Sequence, residues 1–351
     1  MEGMILRPVQ QPTLVPNMAA PQEQKQSVLL PVIIPSTNTS LVPARKPLPF
    51  IEANTSEVTI DHLKRECIIP VFSKDNEETI AHQSFIETIY EAACEMFRGE
   101  RIDAPAVRVS HIVKGRIPEA IHKPASQLLD SEKTIYYERM MFCFEIPSIY
   151  QDVAGNRLNL TIGGVRAYNQ ENLYAKKTAE KFKLFIGFKN LVCCNLCVST
   201  DGYKACLKAM DTMNLYQSAI DMFRSYDMAK HLSQMSAYQD YKMSESQFAQ
   251  FLGKCRMYQY LPNAEKKALP ELLLTDTQVS TVANTYFTDF NFNSDSKTRE
   301  ITLWRLYNLL TGANKTSYID NFLDRAQNAG ELTTGLCRAL EGDAEYSWFL
   351  S

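Results

Sequence analysis

The chain has 351 residues, 45% of them hydrophobic and 22% charged, and a formal net charge of −3. That is enough apolar material for one large or two ordinary domains, and the charge is too balanced for a global field drawing the protein to nucleic acid or an anionic membrane. No run approaches the ~18 apolar residues of a membrane span, no signal peptide opens the chain, and nine cysteines, an odd count, read as reduced thiols in a cytoplasm.

Residues 1–56 hold nine of the sixteen prolines before Phe50, which rules out helix or central strand and predicts a disordered or extended tail. Within it, Val28 to Pro35 is apolar enough to add to a sheet edge, in this molecule or a partner. Cys67 to Phe72 reads as a strand, Lys74 to Glu77 as a turn, and Glu78 to Ala81 as a short strand. Ser84 and Glu87 form a capping-box pattern, and Ile86, Ile89, Tyr90, Ala93 and Phe97 recur at helical spacing before Gly99. Val107 to Val113 alternates as a strand.

The central stretch, Lys133 to Thr200, reads as successive long strands. Thr134 to Ile146 is aromatic and β-branched, with a slip of period near Met140-Met141 that fits a bulge or burial on both faces, and Pro147 is expected to stop the ladder. Ala154-Gly155-Asn156 is a hairpin turn into Arg157 to Ile162, which alternates cleanly. Gly163-Gly164 in mid-strand reads as a bulge or sharp bend, or as close approach of a ligand to bare backbone. Lys181 to Phe188 and Leu191 to Val198 add two further strands, and Asp201-Gly202 ends the run.

From Tyr203 onward the pattern predicts helices. Leu207, Met210, Met213, Ile220 and Phe223 form an apolar stripe; Ser244 with Gln247 and Thr275 with Gln278 are capping boxes; Leu303, Leu306, Tyr307 and Leu310 share a face before Gly312; shorter helices span 318–327 and 332–340. The fold class is therefore α+β: a curved, mostly antiparallel sheet with a helix from the N-terminal half and a C-terminal helical layer. The expected organisation is a tail over 1–56, a sheet core over 57–202, and a helical region over 203–351 packed on the core.

Two basic segments stand out. Lys114, Arg116, His122 and Lys123 share one Gly- and Pro-shaped loop beside His111, the combination of fixed backbone and cations that grips an anion such as a phosphate. An ordinary solvated loop has the same composition. The second segment joins Arg166, Tyr168, Tyr174, Lys176, Lys177 and Lys181, with Lys183 and Lys189 beyond, and cations among aromatics suit a single nucleic-acid strand. Glu171 and Glu180 lie inside it and reduce its excess charge.

Enzyme signatures are absent: there is no G-x-x-x-x-G-K-[ST] loop, no G-x-S-x-G elbow and no H-x-x-x-H pair. Cys194 and Cys197 have C-x-x-C spacing without a second ligand pair and read as buried thiols. No cofactor, metal site or catalytic residue is expected. Glu138, Glu145 or Asp152 clustered with His111 or His122 would be needed for a metal-dependent nuclease.

Three stretches carry a resemblance: Cys67 to Asn76, Arg108 to Pro124 and Leu158 to Asn169. On these the chain resembles domain-of-unknown-function family 3871, found in anaerobic gut bacteria, often in conjugative or phage-like elements. Leu191-Val-Cys-Cys-Asn195 and Leu303-Trp-Arg-Leu-Tyr-Asn308 are similar to signatures of a broader plasmid- and phage-borne family of unknown function. These resemblances imply a mobile-element setting and bring no catalytic residue. Two functions fit: a non-catalytic accessory protein binding single-stranded DNA through basic loops on the sheet rim, or a protein-interaction or counter-defence factor working through the tail and helical face.

Overall fold

The computed structural model describes residues 49–67, 79–170, 179–288 and 299–351. The apolar run Val28 to Pro35, most of the expected strand from Cys67, the turn at Lys74 to Glu77, and Tyr174, Lys176 and Lys177 lie outside the described residues.

The described elements run β1 (Ser56–Val58), α1 (Ile60–Glu66), α2 (His82–Met96), β2 (Ala106–Val109), β3 (Ile112–Arg116), β4 (Lys133–Tyr137), β5 (Arg139–Val153), β6 (Asn156–Ala167), β7 (Glu180–Asn190), β8 (Leu196–Cys197) and β9 (Tyr203–Ala209). Then come α3 (Thr212–Ser225), α4 (Met228–Ala237), β10 (Lys242–Ser244), α5 (Glu245–Tyr258), α6 (Asn263–Lys266), α7 (Asp276–Thr288), β11 (Glu300–Thr302), α8 (Leu303–Asn314) and α9 (Ile319–Leu340). The fold is α+β. One seven-stranded sheet has the order β1-β2-β5-β6-β7-β8, with β9 also paired to β7, and all these pairs are antiparallel. The β3–β4 hairpin stands off this sheet as a separate arm, and β10–β11 is a small ribbon.

The long central hairpin forms because Ala154 and Gly155 both adopt positive φ, 51° and 75°, closing a two-residue turn between Val153 and Asn156. Its register is unbroken at Met140-Met141, where no slip occurs. Met140 faces one core and Met141 the other, so the apparent loss of alternation is burial on both faces. The irregularity lies instead between Ile146 and Tyr150, and β5 continues past Pro147 rather than stopping there.

One face of the sheet packs Phe142, Phe144, Ile162, Leu184 and Ile186 against Phe85, Ile86 and Ile89 of α2 and Leu215 and Ala219 of α3. The other packs Met141, Cys143, Val165 and Phe185 against Ile319, Phe322, Leu323 and Ala326 of α9. Fully burying each such aliphatic or aromatic side chain contributes about 1.5–3 kcal/mol. Phe50 and Ile51 join this second core, so packing begins before residue 57.

Gly163-Gly164 is neither bulge nor bend in pairing, since Cys143↔Gly163 and Phe142↔Gly164 continue the ladder. A Cβ on Gly163 would sit 2.2 Å from the Phe142 carbonyl oxygen, and one on Gly164 would sit 2.6 Å from the Phe85 ring. Gly164 lets α2 settle directly on the sheet backbone, and Gly163, on the opposite face, makes room for the Phe185 ring.

The helical layer differs from expectation at three places. Tyr203–Ala209 is strand β9, and Met210 and Met213 beyond it are exposed rather than core. Helix α8 runs through Gly312 to Asn314 and is buried on nearly all sides. The two expected short helices are one, α9, which runs unbroken through 328–331; there Gly330 lies close to the chain at 198, its would-be Cβ 3.2 Å from the Val198 carbonyl oxygen. The Ser244–Gln247 capping box is present, and Thr275 and Gln278 exchange the equivalent bonds at 3.3 and 3.1 Å. Ser84 does not cap: α2 starts earlier, after Ala81.

Candidate functional site

The first basic segment is split by the arm. His111 sits just before β3, whereas His122 lies in the loop beyond Arg116, so the five residues of β3 separate them by about 17 Å of strand. The Arg116 guanidinium donates to the Lys123 carbonyl, and the Lys123 ammonium pairs with Glu132. That ammonium and the Leu129 N–H, 3.0 Å from the other carboxylate oxygen, hold Glu132 below the usual carboxylate range. Arg116 and Lys123 therefore fold the loop on itself. Lys114 and His122 are exposed, and neither has a hydrogen bond or ion pair among the described residues.

Of the second segment, Arg166 and Tyr168 are buried, 0% and 2% exposed, and cannot meet a strand on the surface. Local sequence carries no sign of this, because β6 is covered on both sides only in the folded sheet. Arg166 pairs with Glu180 and lies over the Phe182 ring at 4.3 Å and the Tyr168 ring at 4.9 Å. Glu180 also accepts the Ile80 N–H at 3.0 Å, fastening β7 to the lead-in of α2. The pair is internally neutral, so Glu180 does not offset the lysines. Lys183 and Lys189 are committed too: Lys183 to Asp324 at 2.5 Å and to the Asp320 carbonyl at 2.6 Å, Lys189 to Glu145 at 2.6 Å.

What remains is a row that only the register reveals. Arg139 stands opposite Ala167 across β5–β6, Val165 opposite Lys183 across β6–β7, and Lys181 opposite Lys208 across β7–β9. Arg139, Lys181 and Lys208 thus share one face and one end of the sheet, three strand steps or about 14 Å from first to last. Lys204, also on β9, stands opposite Leu184 and so lies on the other face of the sheet. Lys181, Lys204 and Lys208 are exposed, with no ion pair or hydrogen bond among the described residues. Like charges directly opposite on neighbouring strands repel. Lysines on β9 alone are explained as guards of a sheet edge; a lysine placed opposite one of them is not.

The same end of the sheet carries the arm, since the Ser110 N–H donates to the Arg139 carbonyl at 2.9 Å, immediately before His111 and β3. Lys114 and the lysine row therefore extend from the same end. Arg139, Lys204 and Lys208 escaped the sequence reading because each is isolated locally. The visible signal was the alternation of Lys204, Cys206 and Lys208, which is a strand pattern.

No cluster of three or more His, Cys, Asp or Glu side chains fit to hold a metal occurs among the described residues. Glu138 precedes β5, and Glu145 and Asp152 are seven residues apart along it, about 23 Å, with Glu145 engaged by Lys189 and by Asn159 at 2.9 Å. The clustering that a metal-dependent nuclease requires is not formed. Burial pushes the Cys143 and Cys197 thiols up to about 12, which leaves them protonated and inert. A polar cavity of about 260 Å³ beside α4 and α9 contains His231 and Glu331. Glu331 is already met by Thr200 at 3.0 Å and Gln327 at 2.9 Å.

The Leu191–Asn195 and Leu303–Asn308 signatures do meet, as a clamp. Asn190 donates to the Asn308 side-chain oxygen at 3.1 Å; Asn195 donates to the Asn308 carbonyl and the Thr311 hydroxyl, both at 3.0 Å; Asn308 donates to the Trp304 carbonyl at 2.9 Å. These side chains are buried, so the motif holds the 191–195 turn on α8 and contacts no solvent-borne ligand.

These features define an α+β protein built on one two-sided antiparallel sheet, with a projecting hairpin arm and a cationic end. Residues 32–350 match the family described as "Domain of unknown function, B. Theta Gene description (DUF3871)", and the chain belongs to that family. No curated protein and no solved structure matches it. No helix among the described residues is long and apolar enough to cross a membrane.

Proposed function

We propose that the protein binds a single strand of nucleic acid, without catalysis, along the Arg139–Lys181–Lys208 end of the sheet and the adjoining face of the arm at Lys114. The observation that carries this reading is the opposed Lys181–Lys208 pair, exposed without counter-charge among the described residues. A polyanion relieves that repulsion, and phosphate contacts are what lysines at this spacing offer. The row is short and one-sided, which suits one flexible strand better than a duplex. A role as accessory protein of a mobile element is the setting that the family resemblance implies, and a cytoplasmic location fits nine unpaired cysteines.

The test is fluorescence anisotropy of a labelled single-stranded oligonucleotide at fixed low salt. Lys181→Gln/Lys208→Gln is expected to weaken binding strongly. Lys230→Gln, an exposed lysine of α4, is expected to leave it unchanged. Equal loss from both proteins, or none from either, contradicts the assignment.

A further inference from the structure

We infer that the cleft at the foot of the arm receives one unpaired nucleobase of the bound strand. This rests on the single-strand reading and adds a base-recognition site to it. The cleft encloses about 400 Å³ and is lined by Ser110, His111, Arg139, Tyr318, Ile319 and Asp320, among others. Arg139 is both the end of the cation row and a wall of this cavity, so a backbone on the lysines brings its bases to the opening.

Inside, a donor and an acceptor are buried and unmatched. Arg139 Nε and Asp320 Oδ1 have no hydrogen-bond partner among the described residues. The two side chains face one another at 3.6 Å from Nε to Oδ2, an ion pair without a hydrogen bond, and Glu138 is no closer to Arg139, at 3.7 Å. Buried polar groups in folded proteins are ordinarily satisfied, and the Arg139 and Asp320 side chains, 25% and 15% exposed in the cleft wall, can turn this unbonded donor and acceptor toward a ligand with the complementary pair. The Watson–Crick edge of every base offers an N–H next to a ring nitrogen or carbonyl, and in a duplex that edge is occupied. At the mouth, Tyr318 is 57% exposed, the flat apolar surface on which an unstacked base settles. The floor is rigid: the Arg139 N–H donates to the Ser110 hydroxyl at 3.1 Å, and Ser110 N–H returns a bond to the Arg139 carbonyl.

The experiment compares a labelled oligothymidylate with an abasic strand of equal length, so that phosphates are constant and bases are not. The intact strand should bind about tenfold tighter, the scale of one stacked base. Tyr318→Ala and Asp320→Asn should each bring that ratio close to one. Asp320→Asn also removes a negative charge beside Arg139, so affinity for the abasic strand should hold or rise, which separates it from misfolding. A ratio near one in the wild type, or a ratio that both variants leave intact, overturns the base site while the lysine-row reading stands. No binding of either strand by the folded protein overturns both.

Discussion

Two buried histidines should make this fold acid-sensitive in a pH range where few carboxylates titrate. His82 is 4% exposed, its Nε2–H donates to the Tyr137 carbonyl at 2.8 Å, and burial, helped by the nearby Arg166, lowers it to about 3 despite that bond. His231 is also 4% exposed, shares a hydrogen bond of 2.8 Å with the Tyr226 hydroxyl, and burial lowers it to about 4 against the opposing pull of Asp201. Both are depressed below the ordinary value of 6.5. The unfolded chain therefore binds protons that the folded chain refuses. Stability from these groups is complete above 6.5 and is lost as pH falls from there toward 4 and 3. At about 1.36 kcal/mol per pKa unit, moving from pH 8 to pH 5 costs roughly 2 kcal/mol for each histidine and roughly 4 for both. Against a domain stability of about 5–15 kcal/mol, that is a large fraction. Urea unfolding at pH 8 and pH 5 measures it, with His82→Gln, His231→Gln and the double variant as comparisons. Each single variant should lose about half of the extra acid sensitivity, and the double nearly all of it. A double variant with the same pH dependence as the wild type refutes the reasoning, because other groups would then bind the protons.

Further outcomes follow from the packing. Arg166→Ala should destabilise the protein by about 3–5 kcal/mol by stranding Glu180, while oligonucleotide affinity measured on the folded fraction stays unchanged. Arg166→Met, which fills the same space between Tyr168 and Phe182, should not rescue stability unless Glu180→Gln accompanies it. Gly163→Ala should lower the melting temperature sharply or prevent folding, since its methyl meets the Phe142 carbonyl oxygen at 2.2 Å and the backbone has no room to yield. Asn308→Ala should cost about 1–3 kcal/mol in chemical denaturation by leaving the Asn190 amide with only the longer 3.5 Å contact to Asn156 Oδ1, with the 191–195 turn gaining amide hydrogen exchange.

Much of the architecture was legible because local chemistry and global packing agree. The α2 stripe of Ile86 and Ile89, the Ser244–Gln247 box and the Ala154-Gly155 turn each declare their element within a few residues. The misses share a cause: signals that tertiary contacts override. Pro147 did not end β5, because the pairing skips residues 147–149 and resumes at Tyr150. Leu191 to Val198 looks like a strand but is mostly a turn that Asn195 ties to α8, leaving only the short β8. The break expected between helices over 318–327 and 332–340 does not occur, because α9 runs through it without interruption.

For the site, the loop containing Lys114 was visible because its cations are adjacent in sequence. The lysine row was not, because Arg139, Lys181 and Lys208 are brought together only by strand register. Arg166 and Tyr168 looked as available as Lys181 since nothing in a strand that reads Gly-Gly-Val-Arg-Ala-Tyr shows that both of its faces are covered.

The measurement that tests the central claim most directly is oligonucleotide affinity across a salt series. Three phosphate contacts, from the Lys181–Lys208 pair and Lys114, predict a slope of log affinity against log salt of roughly −2, and Lys181→Gln/Lys208→Gln should make it shallower by about 1.4. A flat signal at low salt from folded protein, or a slope indifferent to those two lysines, contradicts the account.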